Sequence, residues 1–173
     1  MGAAVDTFDL NGLRLTSGEG RRLELEIRIE PFELGGDVYG VEPAPVPVRL
    51  DVSRTTGQGY ALRLRFSASL AGPCMRCLEP AAAGYEVDAR EISQPGAGEE
   101  LDSPYVVKGL LDVGAWARDA LALSLPRAIL CREDCAGLCG VCGANLNGAD
   151  ADHHHDTAPD PRWSKLSEIK FES

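Results

Sequence analysis

Six cysteines in three close pairs constrain this chain of 173 residues more than any other feature of its sequence. A disulfide framework has no reason to keep every cysteine within a few residues of another, whereas tetrahedral zinc sites are commonly assembled from such pairs. The spacing therefore predicts that the cysteines bind metal. The hairpin, second and third pairs, as they are called below, are Cys74 with Cys77, Cys131 with Cys135, and Cys139 with Cys142.

The compartment expected for the chain also favours metal over disulfides. Asp6 and Asp9 fall where a signal peptide would need its apolar stretch. The longest uncharged apolar runs, such as ALALSLP before Arg127, are too short to span a bilayer. We therefore expect a cytoplasmic chain with no membrane partner, and cytoplasmic thiols are kept reduced.

Alternating apolar and polar residues predict most of the fold. Four segments repeat with a period of two, which is the pattern of a strand with one wet face, and such strands form antiparallel sheets. The hairpin pair lies between the third and fourth segments, so it is expected at the tip of a hairpin. The segments are Leu23–Glu30, Val46–Val52, Leu62–Leu70 and Tyr85–Arg90.

Helical signals follow the strands. Asp112 is a suitable N-cap for an apolar stripe that contains Trp116, and Pro126 ends that helix. A short second helix is predicted to begin at Asp160, with Pro161 in its first turn. The predicted fold class is α+β: an antiparallel β-sheet with one main helix and a cysteine-rich, zinc-clipped C-terminal region.

We expect this fold to form one compact unit with two parts. Residues 1–126 carry the sheet, the main helix and the metal-binding hairpin at 74–77. Residues 127–173 carry the cysteine-rich segment and the short C-terminal helix.

Two divisions of the six cysteines stay open. In the first, the hairpin pair joins the second pair and clips the sheet to the segment after the helix, which leaves the third pair in need of other ligands. In the second, the second and third pairs form a local site and the hairpin pair stands alone. We favour the first division, because it accounts for the otherwise isolated hairpin pair. One zinc site is therefore expected, and a second stays open.

Histidines are the obvious ligands to complete a second site. Three adjacent histidines follow Cys142 after a short polar stretch, and His153 and His155 are the predicted ligands beside the third pair. The alternative is that the histidines belong to a solvated polar loop rich in aspartate.

The sequence gives no sign of an enzyme. A redox-active C-x-x-C normally lies at a helix N-terminus after a strand, whereas Cys74 is expected in a turn between two strands. No HExxH, Walker-type loop or Ser/His/Asp signature is present. We therefore expect a protein without catalytic residues.

Charge sets limits on nucleic-acid binding. The chain has 17 Lys and Arg against 27 Asp and Glu, a net charge of -10, so it does not coat nucleic acid through overall basicity. Between residues 46 and 78, however, five arginines stand against a single acid, Asp51, which gives this stretch a local charge of plus four. Arg63, Arg65 and Arg76 are the candidate RNA-binding residues, because guanidinium forks pair well with phosphate.

The alternative for these arginines is a solvated sheet face. Glu86 and Asp88 on the neighbouring strand would then neutralise them. A further possibility is that an acidic loop docks a basic protein, since opposite charge speeds encounter. The acids of that loop are Glu99, Glu100 and Asp102.

Four ordered motifs resemble a known family. They are CMRCLEP at 74–80, LALSLP at 121–126, LCREDCAGLCGVCGANLN at 130–147 and DPRWSKL at 160–166. In this order and spacing they resemble the YceD family, also known as DUF177, from about residue 60 to the end. The resemblance implies a non-enzymatic role in 23S rRNA accumulation and in bacterial large-subunit biogenesis. It also implies metal binding through the cysteines.

One departure from the family pattern bears on the second site. Members of this type usually continue after NLN with a further C-x-C, where this chain has GADADHHHD. The leading hypothesis is thus a ribosome-biogenesis factor whose partner is ribosomal RNA or a basic large-subunit ribosomal protein. The alternatives are a zinc-dependent thiol or redox sensor and a protein-binding adaptor. The sequence does not set the oligomeric state.

Overall fold

A computed structural model describes residues 4–96, 98, 101–150, 152–155 and 162 of the chain. The elements in chain order are β1 (Thr7–Asp9), β2 (Gly20–Ile27), β3 (Phe32–Leu34), β4 (Asp37–Glu42), β5 (Val46–Arg54), β6 (Tyr60–Pro73), β7 (Pro80–Ser93), β8 (Val106–Val107), β9 (Leu110–Asp112) and α1 (Val113–Leu123).

The main sheet is antiparallel and is built around β6. One edge of β6 pairs with β7 along its whole length, from Tyr60 opposite Ser93 to Pro73 opposite Pro80. The other edge is divided: β5 pairs with the first half of β6, and β4 pairs with residues 69–71. Strand β2 lies outside β5, and β3 lies outside β4.

One face of this sheet forms the core. Leu50 of β5 and Leu64 of β6 are paired neighbours and are both fully buried, as the period-two pattern predicts. The alternate, polar residues of these strands and of β7, among them Arg49, Arg63 and Asp88, lie on the opposite face. The sheet therefore has one apolar face and one wet face along most of its length.

A small second sheet and the helix cover part of the core. Strands β1, β9 and β8 pair antiparallel, and α1 follows β9 directly. Asp112 is the N-cap, and its carboxylate accepts a hydrogen bond from the Ala115 N–H at 2.9 Å. Trp116 is buried and stacks on Tyr105, with ring centroids 6.3 Å apart. The predicted cap and the predicted core position of Trp116 are both confirmed.

The β6–β7 hairpin carries the cysteine turn at its tip. Tyr39 of β4 lies fully buried beneath this tip and donates a hydrogen bond to the Pro73 carbonyl at 2.8 Å. Gly72 makes room for the ring, because a Cβ at this position would overlap Tyr39 Cδ1. Tyr39 therefore fixes the backbone immediately before Cys74.

The predicted α+β class, with antiparallel strands and one main helix, is confirmed. The helix predicted to begin at Asp160 lies outside the described residues, apart from Arg162. Among the residues that the structure describes, no helix has the length and apolar character that crossing a bilayer requires.

Candidate metal centres

The hairpin pair and the second pair meet at the tip of the β6–β7 hairpin. The four sulfur atoms, which we call the first centre, all lie within 4.8 Å of one another. Cys74 Sγ is 3.7 Å from Cys135 Sγ, and Cys77 Sγ is 3.5 Å from Cys131 Sγ. All four are free thiols. The structure thus brings the cysteines together as the first of the two divisions predicts.

A tight turn presents the hairpin pair. The Cys74 N–H donates to the Glu79 carbonyl at 2.7 Å, and the Leu78 N–H donates to the Cys74 carbonyl at 3.0 Å. Leu78 takes a left-handed conformation with φ of 63°, which is uncommon for a residue with a side chain. The turn aims both thiols toward the segment that follows α1.

Backbone hydrogen bonds hold that segment against the turn. The Met75 N–H donates to the Ile129 carbonyl at 2.9 Å, and the Leu138 N–H donates to the Arg76 carbonyl at 3.1 Å. The Arg76 guanidinium donates to the Cys135 carbonyl at 2.9 Å. The sheet and the segment after the helix are therefore joined around the first centre by more than the cysteines.

The thiols of the first centre differ in acidity. Burial opposes ionisation of Cys74, yet N–H groups of Cys77, Arg76 and Cys131 lower its pKa to about 6. Burial, together with the neighbouring thiols, raises the pKa of Cys131 to about 12. Four clustered thiols resist joint ionisation because their charges repel, and a bound cation removes that obstacle.

The sulfur spacing fits a tetrahedral metal. Zinc–sulfur bonds of about 2.3 Å give a regular tetrahedron with sulfur–sulfur edges of about 3.8 Å. The observed contacts of 3.7 and 3.5 Å lie close to that edge length. The first centre could therefore hold a metal ion with little movement of its side chains.

The third pair lies in a second knuckle. The Gly143 N–H donates to the Cys139 carbonyl, and the Cys139 N–H donates to the Ala144 carbonyl, both at 2.8 Å. Gly143 has φ of 73°, a conformation that glycine adopts without strain. N–H groups of Cys142 and Val141, together with the His153 ring, lower the pKa of the Cys139 thiol to about 6.

Two histidines complete a second group of four, which we call the second centre. Cys139, Cys142, His153 and His155 place one ligand atom each within 4.8 Å of the others. The Cys142 Sγ to His153 Nε2 distance is 3.7 Å, and the Nε2 atoms of the two histidines are 3.3 Å apart. Zinc with bonds of about 2.0–2.1 Å to nitrogen gives nitrogen–nitrogen edges of about 3.3 Å. The donor set could therefore also hold a metal ion.

His154 does not belong to this group. Its Nδ1 lies 2.7 Å from the Asp152 carbonyl, so its ring is bonded to the neighbouring backbone. The two predicted ligands therefore belong to the second centre, whereas the histidine between them does not.

Asn147 supports the first centre, a role that the cysteine spacing alone does not predict. Its side-chain N–H group donates to Cys135 Sγ at 3.4 Å, and this contact is the leading cause that lowers the pKa of the Cys135 thiol. Its Oδ1 accepts from the Ala136 N–H at 2.8 Å and from the Arg132 guanidinium at 2.9 Å. The available signal was the motif NLN directly after the knuckles.

The candidate RNA-binding arginines lie apart and have partners. Arg63 forms a two-point ion pair with Asp88, and Arg65 is paired with Asp51. Arg76 lies in the cysteine turn between Cys74 and Cys77, where its guanidinium donates to the Cys135 carbonyl. The structure brings Arg63 and Arg65 to one sheet face but does not place Arg76 with them.

The acidic loop predicted to dock a protein is described only in part. Asp102 is exposed, and Glu99 and Glu100 lie outside the described residues.

Comparison with known proteins supports the resemblance seen in the motifs. A family model described as the large ribosomal RNA subunit accumulation protein YceD matches residues 62–170. Uncharacterized proteins of Mycobacterium tuberculosis and Mycobacterium bovis are each 31% identical over 165 residues, which cover 91% of this chain and 67% of each relative. An uncharacterized protein of Mycobacterium leprae is 28% identical over 130 residues, which cover 71% of this chain and 59% of that relative.

No solved structure matches the chain. The family match covers more than half of the chain and includes all six cysteines as well as His153 and His155. The chain therefore belongs to the YceD family of large ribosomal RNA subunit accumulation proteins.

Proposed function

We propose that the protein is a non-enzymatic, cytoplasmic factor that supports accumulation of 23S rRNA and biogenesis of the large ribosomal subunit. The observation that carries this proposal is the family match over residues 62–170, whose description names large ribosomal RNA subunit accumulation. The geometry is consistent with a structural role, because both centres offer four protein ligands. A catalytic zinc site normally keeps one position open.

The metal in this proposal is zinc. Four thiolates, or two thiolates with two imidazoles, are typical tetrahedral zinc ligand sets. Zinc supplies a redox-inert crosslink between its ligands. In the first centre, Cys74 and Cys77 would hold the hairpin tip to Cys131 and Cys135, and the neighbouring hydrogen bonds would keep the thiols aligned.

The partner is either ribosomal RNA or a basic large-subunit ribosomal protein. Charge pairing within the sheet favours the basic ribosomal protein as the partner. Arg63 and Arg65 each bind a carboxylate, which lowers the positive potential available to phosphate, and the chain carries a net charge of -10. A basic protein would instead be attracted to the molecule from a distance.

The ratio of 23S to 16S rRNA in cells tests the proposed function. Deletion of the gene should lower this ratio, and expression of the intact chain should restore it. An unchanged ratio in the deletion strain would contradict the proposal.

Complementation by charge variants shows which of the two candidate partners the protein binds. If the sheet arginines touch phosphate, Arg63→Glu with Arg65→Glu should fail to restore 23S rRNA, and RNA binding by the intact chain should weaken steeply with salt. If a basic protein docks, the variant Glu99→Lys, Glu100→Lys and Asp102→Lys should fail instead. Arg76 is left intact in both variants, because its hydrogen bond to the Cys135 carbonyl supports the first centre.

The two alternative functions differ in their support. A protein-binding adaptor is compatible with docking of a basic ribosomal protein. A thiol sensor needs accessible cysteines. Among the described residues, the second centre offers Cys142, which is exposed, and Cys139, which is partly exposed, beside two histidines.

A further inference from the structure

The two centres differ in the access of solvent to their sulfur atoms. In the first centre, three of the four thiols are buried: Cys74 is 0% exposed, Cys135 is 2% exposed and Cys77 is 4% exposed, whereas Cys131 is exposed. In the second centre, Cys142 is exposed and Cys139 is partly exposed. Oxidation of thiols follows accessibility as well as thiolate character, so a small oxidant reaches the second centre more readily.

The centres also differ in what they hold together. In the first centre, Cys74 and Cys135 are 61 residues apart in sequence and belong to different parts of the fold. In the second centre, Cys142 and His153 are only 11 residues apart, and all four ligands come from one segment. Opening a short local loop changes the entropy of the chain less than opening a long one. Loss of metal from the second centre should therefore leave the sheet, the helix and the first centre in place.

Cys139 and Cys142 are placed to form a disulfide with each other. They belong to one C-x-x-C turn, their ligand atoms lie within 4.8 Å, and Gly143 after them gives the turn freedom to adjust. In the first centre the equivalent C-x-x-C reaction would join Cys74 to Cys77, and both of these thiols are buried.

We propose that Cys139 and Cys142 form a reversible oxidation site, at which a hydroperoxide joins them in a disulfide and the second centre releases its metal while the first keeps its own. The inference rests on the zinc binding proposed above. It does not rest on the proposed role in rRNA accumulation.

The reaction balances with one hydroperoxide per disulfide. The more exposed thiolate, Cys142, attacks the peroxide: a sulfur–oxygen bond forms, the oxygen–oxygen bond breaks, and the leaving oxygen takes up a proton as alcohol or water. Cys139 then attacks the oxidised sulfur: the sulfur–sulfur bond forms and hydroxide leaves, taking up a second proton as water. The two sulfurs lose two electrons, which reduce the peroxide. A thiol reductant reverses the change by disulfide exchange.

Metal release from the whole chain tests the proposal. The chain is purified under reducing conditions, loaded with zinc, freed of excess metal and reductant, and treated with hydrogen peroxide. A chromogenic chelator measures released zinc, and differential alkylation with peptide mass spectrometry identifies the oxidised cysteines. We expect one of two zinc equivalents to be released, together with a Cys139–Cys142 disulfide. Dithiothreitol and added zinc should restore the second equivalent.

Two variants assign the released metal to a centre. Cys142→Ser should bind one equivalent and keep it under peroxide. Cys131→Ser, which removes the most exposed thiol of the first centre, should still form the Cys139–Cys142 disulfide and release metal from the second centre. Thermal unfolding of the oxidised intact chain should be close to that of the reduced chain.

Several results would overturn the proposal. Retention of both equivalents, simultaneous release of both, or a disulfide that involves the hairpin pair would each contradict it. Fewer than two equivalents before peroxide would contradict the zinc assignment of the second centre as well. The 23S to 16S ratio plays no part in this experiment, so failure here leaves the proposed ribosomal role to its own test.

Discussion

Three consecutive histidines have two different environments in this chain. His153 and His155 point their Nε2 atoms to a common point beside Cys142, whereas the His154 ring is bonded to the Asp152 carbonyl. The composition of this run is equally consistent with a solvated loop, so the sequence leaves both interpretations open. The two donor-atom distances of 3.7 and 3.3 Å favour a ligand set, because they lie close to the edges of a zinc tetrahedron.

Single histidine substitutions test this division. His153→Ala should lower the zinc content by about one equivalent per chain, because a tetrahedral site that loses a ligand binds more weakly. His154→Ala is the matched control and should leave the zinc content unchanged. Metal analysis of the dialysed proteins measures both. Equal zinc contents in the two variants would contradict the assignment of His153 as a ligand and favour the polar-loop interpretation.

Asp51 is the acid that links two arginines on the wet face of the sheet. The hydrogen bond from Arg22, followed by that from Arg65, lowers the pKa of the Asp51 carboxyl despite opposing burial. A carboxyl whose pKa is lowered by folding stabilises the protein above its unfolded pKa, which is about 3.9, and this stability is lost as the pH falls through the folded value. The ion pairs should therefore contribute at neutral pH and fade in acid.

Asp51→Asn should thus lower the free energy of unfolding by ~0.5–1 kcal/mol at pH 7, a small effect because the pairs are partly exposed. The difference from the intact chain should shrink below about pH 4 and in high salt. Urea unfolding at a series of pH values measures it. Glu33→Gln, at an exposed position on the edge strand β3, is the control and should change stability by less than ~0.5 kcal/mol. A difference that grows toward acid pH would contradict the assignment.

The β6–β7 hairpin connects the packing of the sheet to the position of the first centre. Gly72 and Gly84 both lie in this hairpin, but their surroundings differ. A Cβ on Gly72 would overlap the buried Tyr39 ring, whereas a Cβ on Gly84 would meet nothing within 4 Å. Tyr39 holds the Pro73 carbonyl, so displacement of its ring moves the backbone that precedes Cys74.

Substitution of the two glycines by alanine tests this connection. Gly72→Ala should destabilise the protein by ~1–3 kcal/mol, the usual cost of forcing a methyl group into a packed core. Gly84→Ala should be neutral or stabilising by up to ~1 kcal/mol, because alanine loses less backbone freedom on folding. Thermal or urea unfolding measures both changes, and zinc content reports whether the hairpin tip has moved. Equal stability of the two variants would contradict the role given to Tyr39.

Much of the architecture follows from local patterns in the sequence. The four long strands and the Asp112 cap are predicted because period-two alternation and capping chemistry act between near neighbours. The short strands β1, β3, β4, β8 and β9 are not predicted, since two to six residues carry too little pattern. The split edge of β6 is also beyond local signals, because it depends on which distant strands meet there.

The candidate sites, too, have some features that local sequence predicts and others that depend on the fold. Cysteine spacing identifies the ligands, because close pairs with few residues between them are a strong metal signal. The sequence alone only favours the grouping of the hairpin pair with the second pair, and the fold brings them together through the Arg76 contacts. The charges of Arg63 and Arg65 are visible in the sequence, but their ion pairs depend on strand register and diagonal reach.

Taken as a whole, the molecule is a one-sided sheet whose hairpin tip is fastened to the segment after α1. The first centre joins residues more than 50 positions apart, so its metal would act on the stability of the whole fold. The second centre is local and exposed, so its metal would act on one segment only. The short cysteine-rich segment after α1 thereby contributes ligands both to a structural centre and to an exchangeable one.

The zinc content of the purified chain, measured beside its thermal stability, tests the central claim of a structural first centre most directly. The intact protein should carry two equivalents of zinc. Cys74→Ser should carry about one and unfold at a lower temperature, since structural zinc binding is coupled to folding. Intact protein that is free of metal, or a Cys74→Ser variant with unchanged zinc content and unchanged unfolding temperature, would contradict the account.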